Sequence, residues 1–316
     1  MHSKKQLGRV MAAVLLSGLI STPATAVQLD LEMLERGRVH QNVSEGGRFE
    51  FAKGPMIYQP ESDENFSKGY RPESMEYIRG DLFREIHDLP AHVRSYGVFT
   101  DIVESLTGSG FDEIYSCERE QCGESAAWRL YLSTLIGGRD VTQYYFAGVS
   151  GDRSYVAVYV NELGGQTRVL VDHMLMRVAD ASTVVEVDFA TPFFSPGSAQ
   201  LSPSSIRGLA ELAERIRSED QDKSLMLIGH ADTNGGLLRN LLLSGARAQA
   251  VERALIREYQ IAPSKLSVAA YGYALPQASL RVGVAATGNR RVEARIISKV
   301  MEPVAAAEAE LDVVVN

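Results

Sequence analysis

Residues 227–251 read L-I-G-H-A-D-T-N-G-G-L-L-R-N-L-L-L-S-G-A-R-A-Q-A-V. A short apolar run ends at Gly229, and the turn formers D-T-N-G-G separate it from a long helical pattern. Leu241, Ala248 and Leu255 recur every seven residues, which predicts one helix over 238–259. Ile261-Ala262-Pro263 stops it. Asp232 falls at the end of the strand. Asn240 and Arg247 are seven apart and therefore share a helix face. A carboxylate and a guanidinium at the mouth of a strand–helix turn can hold a zwitterion, the acid taking an ammonium and the arginine a carboxylate. Backbone amides at the turn can add to such a site. No nucleophile or general base stands beside these residues in sequence, so the chemistry points to binding rather than catalysis.

Working outward, the flanking segments complete an alternating pattern. Val184–Phe189 has strand character, and Ser202 can cap a helix that starts at Pro203. Ile206, Leu209, Ala213 and Ile216 give that helix one apolar face. Leu225–Ile228, Leu266–Tyr271 and Val292–Ser298 read as strands. The order βαβαββ predicts a compact α/β sandwich over 184–300, followed by a loosely held Ala/Glu-rich tail at 301–316. The small, polar residues 179–183 mark the boundary with an N-terminal α+β domain, 27–178, so the fold class is α+β. Within that domain, 27–75 reads as an extended segment and loop. A helix is expected over 92–106 and a strand over 111–116. A second helix is expected over 128–136, and three strands near 141–147, 154–161 and 167–173. Val156, Val158 and Val160 alternate with Ala157 and Tyr159, the pattern of a half-buried strand.

Composition narrows the function classes. The chain has 316 residues, is 45% apolar and 23% charged, and carries a net charge of −8. These are globular proportions, and the acidic balance argues against a nucleic-acid partner. Lys4, Lys5 and Arg9 precede an apolar run from Val10 to Ile20, and Ala24-Thr25-Ala26 follows. This is the pattern of a secretory signal peptide, residues 1–26, cut after Ala26. Export implies an oxidising compartment, so Cys117 and Cys122 are expected to form a local disulfide. Their spacing lacks both the further ligands of a metal site and the C-x-x-C redox pattern. No metal, cofactor or catalytic residue is expected.

The second half resembles the OmpA-like peptidoglycan-binding domain. The resemblance rests on F-F-S-P-G-S-A-Q-L at 193–201 and G-H-A-D at 229–232, similar to the family's G-H-T-D. It continues through Gly235, Asn240, Leu243-Ser244, Arg247-Ala248, Tyr271-Gly272, Pro276 and N-R-R-V-E at 289–293. It implies noncovalent binding to the peptide stem of peptidoglycan at diaminopimelate, with Asp232 and Arg247 as the clamp. Asn240 and Asn234 fall on further ligand contacts, and Arg291 is assigned to the pocket while Arg290 is structural. It also implies a periplasmic, cell-wall-associated protein, with the outer membrane or another envelope protein as a further partner. Ala231 stands where the family usually has Thr. Gly245, inside the helix, costs about 1 kcal/mol relative to Ala. The first half, through its Tyr96–Phe111 helix-Gly-Phe segment and its Cys117/Cys122-Gly123 loop, loosely resembles an exported domain found ahead of such modules, which implies no activity.

Each residue also has a plainer reading. Asp232 alone could cap a helix, and Arg247 alone could sit on a solvated face. His230 beside Asp232 suggests a metal or hydrolase site, but no H-x-x-x-H or nucleophile elbow accompanies it, and it is read as a structural residue. Tyr144, Tyr145, Phe146, Tyr155 and Tyr159 are read as a buried sheet face rather than a glycan platform. Two alternatives to wall binding stand open: a module that docks a protein partner, and an enzyme housed in the N-terminal domain.

Overall fold

The computed structural model describes residues 30–60, 69–177, 185–186, 192–275 and 287–298. The expected signal peptide, the 179–183 boundary, Pro276 and the tail lie outside them. In the first half, α1 (Leu31–Arg36) leads into β1 (Arg38–Ala52). A small ribbon follows, β2 (Met56–Tyr58) with β3 (Tyr70–Pro72), and then the long β4 (Met75–Asp88). Next come α2 (Ser95–Gly108), β5 (Asp112–Glu118), α3 (Ser125–Tyr131), β6 (Tyr144–Ser150), β7 (Ser154–Leu163) and β8 (Gln166–Met176). Six of these strands form one antiparallel sheet in the order β1-β4-β8-β7-β6-β5.

In the second half, β9 (Val185–Glu186) precedes α4 (Pro203–Gly208) and α5 (Ala210–Ser218). Then follow β10 (Lys223–Gly229), α6 (Leu237–Tyr259), β11 (Leu266–Ala270) and β12 (Val292–Ser298). The sheet order is β11-β10-β12-β9. β10 and β11 are parallel, joined by α6 as a crossover, and β12 is antiparallel to β10. Ser202 caps α4 by accepting the Ser205 amide at 3.0 Å. The fold is α+β, as the element pattern implies.

Four details depart from the expectations. The segment read as loop contains α1 and the fifteen-residue β1. β1 is an edge strand whose first two-thirds lack a buried residue, so it has no apolar alternation to show. The expected helix over 128–136 ends at Tyr131. Arg84 donates to the Leu132 carbonyl and Arg168 to that of Leu135, which gives those acceptors partners outside a helical ladder. The first helix of the second half breaks at Leu209 into α4 and α5, just after Gly208. Finally, β7 is buried on both faces, with Val156, Val158 and Val160 in one core and Ala157 and Tyr159 in another.

The two halves share a core. Val156, Val158 and Val171 of the large sheet, with Phe99 and Ile102 of α2, pack in one cluster with Met226, Ile228, Leu238, Leu241 and Ala269. Trp128, stacked on Tyr145 at 4.3 Å, fills the far face of the large sheet. Leu212, Ile216, Leu225, Leu227, Val251 and Leu255 fill the far face of the small one. An unpaired sheet edge exposes backbone polar groups, and β11 is such an edge. Ser150 Oγ accepts the Ala270 amide at 3.0 Å, and Ser154 Oγ donates to the Ala270 carbonyl at 2.6 Å. Tyr271 adds a hydroxyl bond to Asp152 at 2.9 Å. Gly245 explains itself here. A Cβ at that position would lie 2.1 Å from the Ser109 carbonyl oxygen, so glycine lets the end of α2 rest directly on α6.

Candidate functional site

The site is assembled by the turn between β10 and α6. β10 runs tightly under α6, and a Cβ on Gly229 would meet the Ser244 carbonyl at 1.8 Å. That approach places Asp232 beside the third turn of the helix. Asp232 Oδ1 accepts the Asn234 amide at 3.2 Å, and Oδ2 accepts the Asn234 side-chain amide at 3.4 Å. Oδ2 also receives Arg290 Nη1 at 2.9 Å. Asp232 is buried but lines a cleft of about 1080 Å³ together with Asn234, Gly197, Arg239 and Leu242.

Arg247 lies behind this floor with no exposed surface. Its Nε donates to Ser198 O at 3.0 Å, Nη1 to His230 O at 2.9 Å and Nη2 to Ser195 O at 3.3 Å. The Phe194 ring lies 5.3 Å from its guanidinium carbon. All three acceptors are neutral carbonyls, and a guanidinium has five N–H groups, so two donors are spare. Among the described residues Arg247 makes no hydrogen bond to a carboxylate. Burial pushes its pKa down to about 10; the charge of Asp232 opposes that and Arg290 adds to it. Asp232 thus faces two guanidiniums, paired to Arg290 at 2.9 Å and acting on Arg247 through its charge.

Asn240 is buried beneath the turn and donates to the carbonyls of Gly235 and Gly236 at 3.3 and 3.1 Å. Its Oδ1 has no hydrogen-bond partner among the described residues. Arg291, assigned to the pocket from the sequence, is not brought to Asp232. It pairs with Glu293 and donates to Leu275 O at 3.3 Å, while its neighbour Arg290 takes the place beside Asp232. Arg290 lies in the bend ahead of β12 and Arg291 in an isolated bridge with Phe193, and the bend decides which of the two reaches the acid. The sequence carries no sign of which. His230 is buried, with Nε2 3.4 Å from Glu293 Oε2. Burial is the main force lowering its pKa. Burial opposes ionisation of Glu293, yet His230 and Arg291 hold its carboxyl down at about 2.

Two further carboxylates come from the first half. Glu35 of α1 accepts the Gly236 amide at 3.1 Å and Arg239 Nε at 2.5 Å. Glu85 of β4 accepts the Leu237 amide at 2.9 Å and Arg38 Nη1 at 2.8 Å. A helix N-terminus leaves its first amides unpaired and favours negative charge, and these glutamates satisfy both demands. Of the amides expected to assist a ligand at the turn, those of Gly236 and Leu237 already have protein acceptors. No local motif could reveal them, because the pairs span 152 residues or more.

Ser154 Oγ lies 2.9 Å from His173 Nε2, the separation of a nucleophile–base pair. The serine proton, however, goes to Ala270 O. The imidazole must then donate rather than accept, and both side chains are buried at the junction of the two sheets. Ser154 joins the halves through Ala270, and the imidazole does not take the serine proton.

Residues 193–290 match the OmpA family. Outer membrane protein Omp38 of Acinetobacter baumannii is 32% identical over 104 residues, covering 33% of this chain and 29% of Omp38. The peptidoglycan-associated lipoprotein of Pseudomonas aeruginosa is 32% identical over 103 residues, covering 33% of this chain and 60% of the lipoprotein. Among solved structures, the peptidoglycan-associated lipoprotein of Burkholderia pseudomallei aligns with a TM-score of 0.31 at 24% identity, over 34% of this chain and 88% of that one. The C-terminal domain of Helicobacter pylori MotB aligns with a TM-score of 0.32 at 23% identity, over 36% and 87%. The chain thus carries an OmpA family domain at residues 193–290.

Proposed function

We propose that this protein binds peptidoglycan noncovalently in the cell envelope, through the diaminopimelate of the stem peptide. Asp232 takes the free ammonium and Arg247 the adjoining carboxylate. The observation that carries the reading is Arg247, a fully buried cation that, among the described residues, is hydrogen-bonded only to neutral carbonyls, beside the Asp232 floor of an open cleft. A ligand carboxylate would supply its missing counter-charge, with the Ser195–Ser198 carbonyls yielding to admit it. Asp232 keeps lone-pair capacity for an ammonium beside its bond to Arg290. Asn240 and Asn234 hold the turn that presents the acid, and Arg291 acts at a distance by bracing Glu293 and His230. The likeness to a peptidoglycan-associated lipoprotein supports this ligand class, and the signal-peptide pattern at 1–26 supports export to the compartment that holds it. The N-terminal domain would then be tethered to the wall.

Sedimentation with purified sacculi tests the reading. Asp232→Asn preserves shape and a partner for Arg290 while removing the charge, and should release most of the protein to the supernatant. Equal co-sedimentation of wild type and Asp232→Asn would sink the clamp and favour a module that docks a protein. Release of soluble muropeptides by wild type would favour an enzyme.

A further inference from the structure

The cleft in front of Asp232 is built by both halves of the chain. One wall is Asp232, Asn234 and α6; the other is α1 and the end of α2, with Glu32, Arg36 and Ser109 among its lining residues. At about 1080 Å³ it matches the upper end of ordinary ligand pockets, ~1,000 Å³, far more room than one diaminopimelate fills. The α1 wall is fixed relative to the clamp, because Glu35 binds the Gly236 amide and Arg239, and Glu85 the Leu237 amide.

The charges on these walls are not equally engaged. Three arginines line the cleft: Arg36, Arg38 and Arg239. Arg38 is held by the buried Glu85 at 2.8 Å, and Arg239 by Glu35 at 2.5 Å. Among the described residues Arg36 meets only Glu32, one turn back, at 3.7 Å, with both side chains more than 70% exposed. Exposed pairs of that spacing hold weakly, so Arg36 is the cation free to exchange its partner. A stem peptide carries carboxylates beyond its diaminopimelate, on the γ-linked glutamate and at the C-terminus. A planar guanidinium can receive one of them in two parallel hydrogen bonds.

We infer that Arg36 of the N-terminal half binds a second carboxylate of the stem peptide, so that the cleft recognises an acidic peptide rather than a single amino acid. This rests on the clamp reading above. Occupation turns the exposed Glu32–Arg36 pair into an Arg36–ligand pair and leaves the Glu35 and Glu85 contacts in place.

The test is calorimetric titration of the full chain with two probes: free meso-diaminopimelate and the tetrapeptide L-alanyl-γ-D-glutamyl-meso-diaminopimelyl-D-alanine. Arg36→Gln should weaken tetrapeptide binding about tenfold and leave binding of the free amino acid unchanged, and Arg36→Lys should recover part of the loss. Arg36 is exposed, so thermal unfolding of both variants should match wild type. If Arg36→Gln binds both probes as wild type does, while Asp232→Asn loses both, the inference falls and the clamp stands. If wild type binds neither probe, both fall together.

Discussion

Gly97 and Gly245 are both helical glycines, and the structure gives them opposite roles. A Cβ at Gly97, in the first turn of α2, meets nothing within 4 Å. Neither residue has a positive φ, so alanine fits the backbone at both. Gly97→Ala should therefore stabilise the protein by about 0.5–1 kcal/mol, the ordinary gain from removing a helical glycine. At Gly245 the same change starts with a gain of about 1 kcal/mol. The new Cβ, however, lies 2.1 Å from the Ser109 carbonyl oxygen, where ordinary contact begins at 3.4 Å. The end of α2 must retreat by about an ångström, since the obstacle is backbone and not a flexible side chain. Overpacking of this kind costs about 1–3 kcal/mol, and an immovable neighbour places it in the upper part of that range. The net effect is a destabilisation of about 1–2 kcal/mol, a drop in Tm of roughly 2–8 °C for a chain of this size. Urea unfolding of the full chain reads the sign directly, as midpoints moving in opposite directions at constant slope. If Gly245→Ala raises the midpoint as Gly97→Ala does, α2 does not rest on α6, and the shared core is wrong.

Acid should loosen the junction first. His173 is buried between the sheets, and desolvation lowers its pKa to about 3, while burial also lowers that of His230. Below pH 6.5 the unfolded chain takes up protons that the folded chain refuses. For His173 stability should then fall with pH from 6.5 toward 3, by up to about 1.4 kcal/mol per unit, and His230 adds to the loss below 6.5. Glu293, held at about 2, adds a second loss between 4.5 and 2. His173→Gln should flatten the first slope in urea melts at stepped pH; an unchanged slope would remove His173 as its source. The Cys117–Cys122 disulfide closes a short loop, with a separation of five residues, so replacing both by Ser should cost about 2 kcal/mol and leave sacculus binding intact. A loss of binding would mean that the loop acts on the clamp.

How much of this was legible depended on whether a residue's partners were local. The 227–251 stretch announced its strand, its turn and α6, because the seven-residue apolar repeat needs no knowledge of what packs against it. The Cys117–Cys122 bridge and Ser202 as a cap were equally local. β1 stayed hidden because its ladder to β4 is made by backbone, and its side chains face water through most of its length. β7 looked half-buried because valine, alanine and tyrosine alternate by size rather than by polarity, while both its faces are covered. At the site, sequence could name Asp232 and Arg247. It could not choose between Arg290 and Arg291, since the bend ahead of β12 decides which reaches the acid. Glu35 and Glu85 were out of reach, being brought to α6 only by the packing of one half on the other.

That packing bears on how the OmpA family domain works in this chain. Met226, Ile228, Leu238 and Leu241 present an apolar face from β10 and α6, and the large sheet covers it. Cut away from the first half, this face would meet water and the α6 N-terminus would lose both its carboxylates. The Asp232 turn leads straight into that N-terminus, so Glu35 and Glu85 brace the helix start that follows the acid. Glu85 in turn sits on β4, which is paired on both sides, by β1 and β8. Force or motion arriving at the Asp232 turn therefore has a short, charged route into the middle of the large sheet. Through that route the first half becomes part of the candidate site's frame.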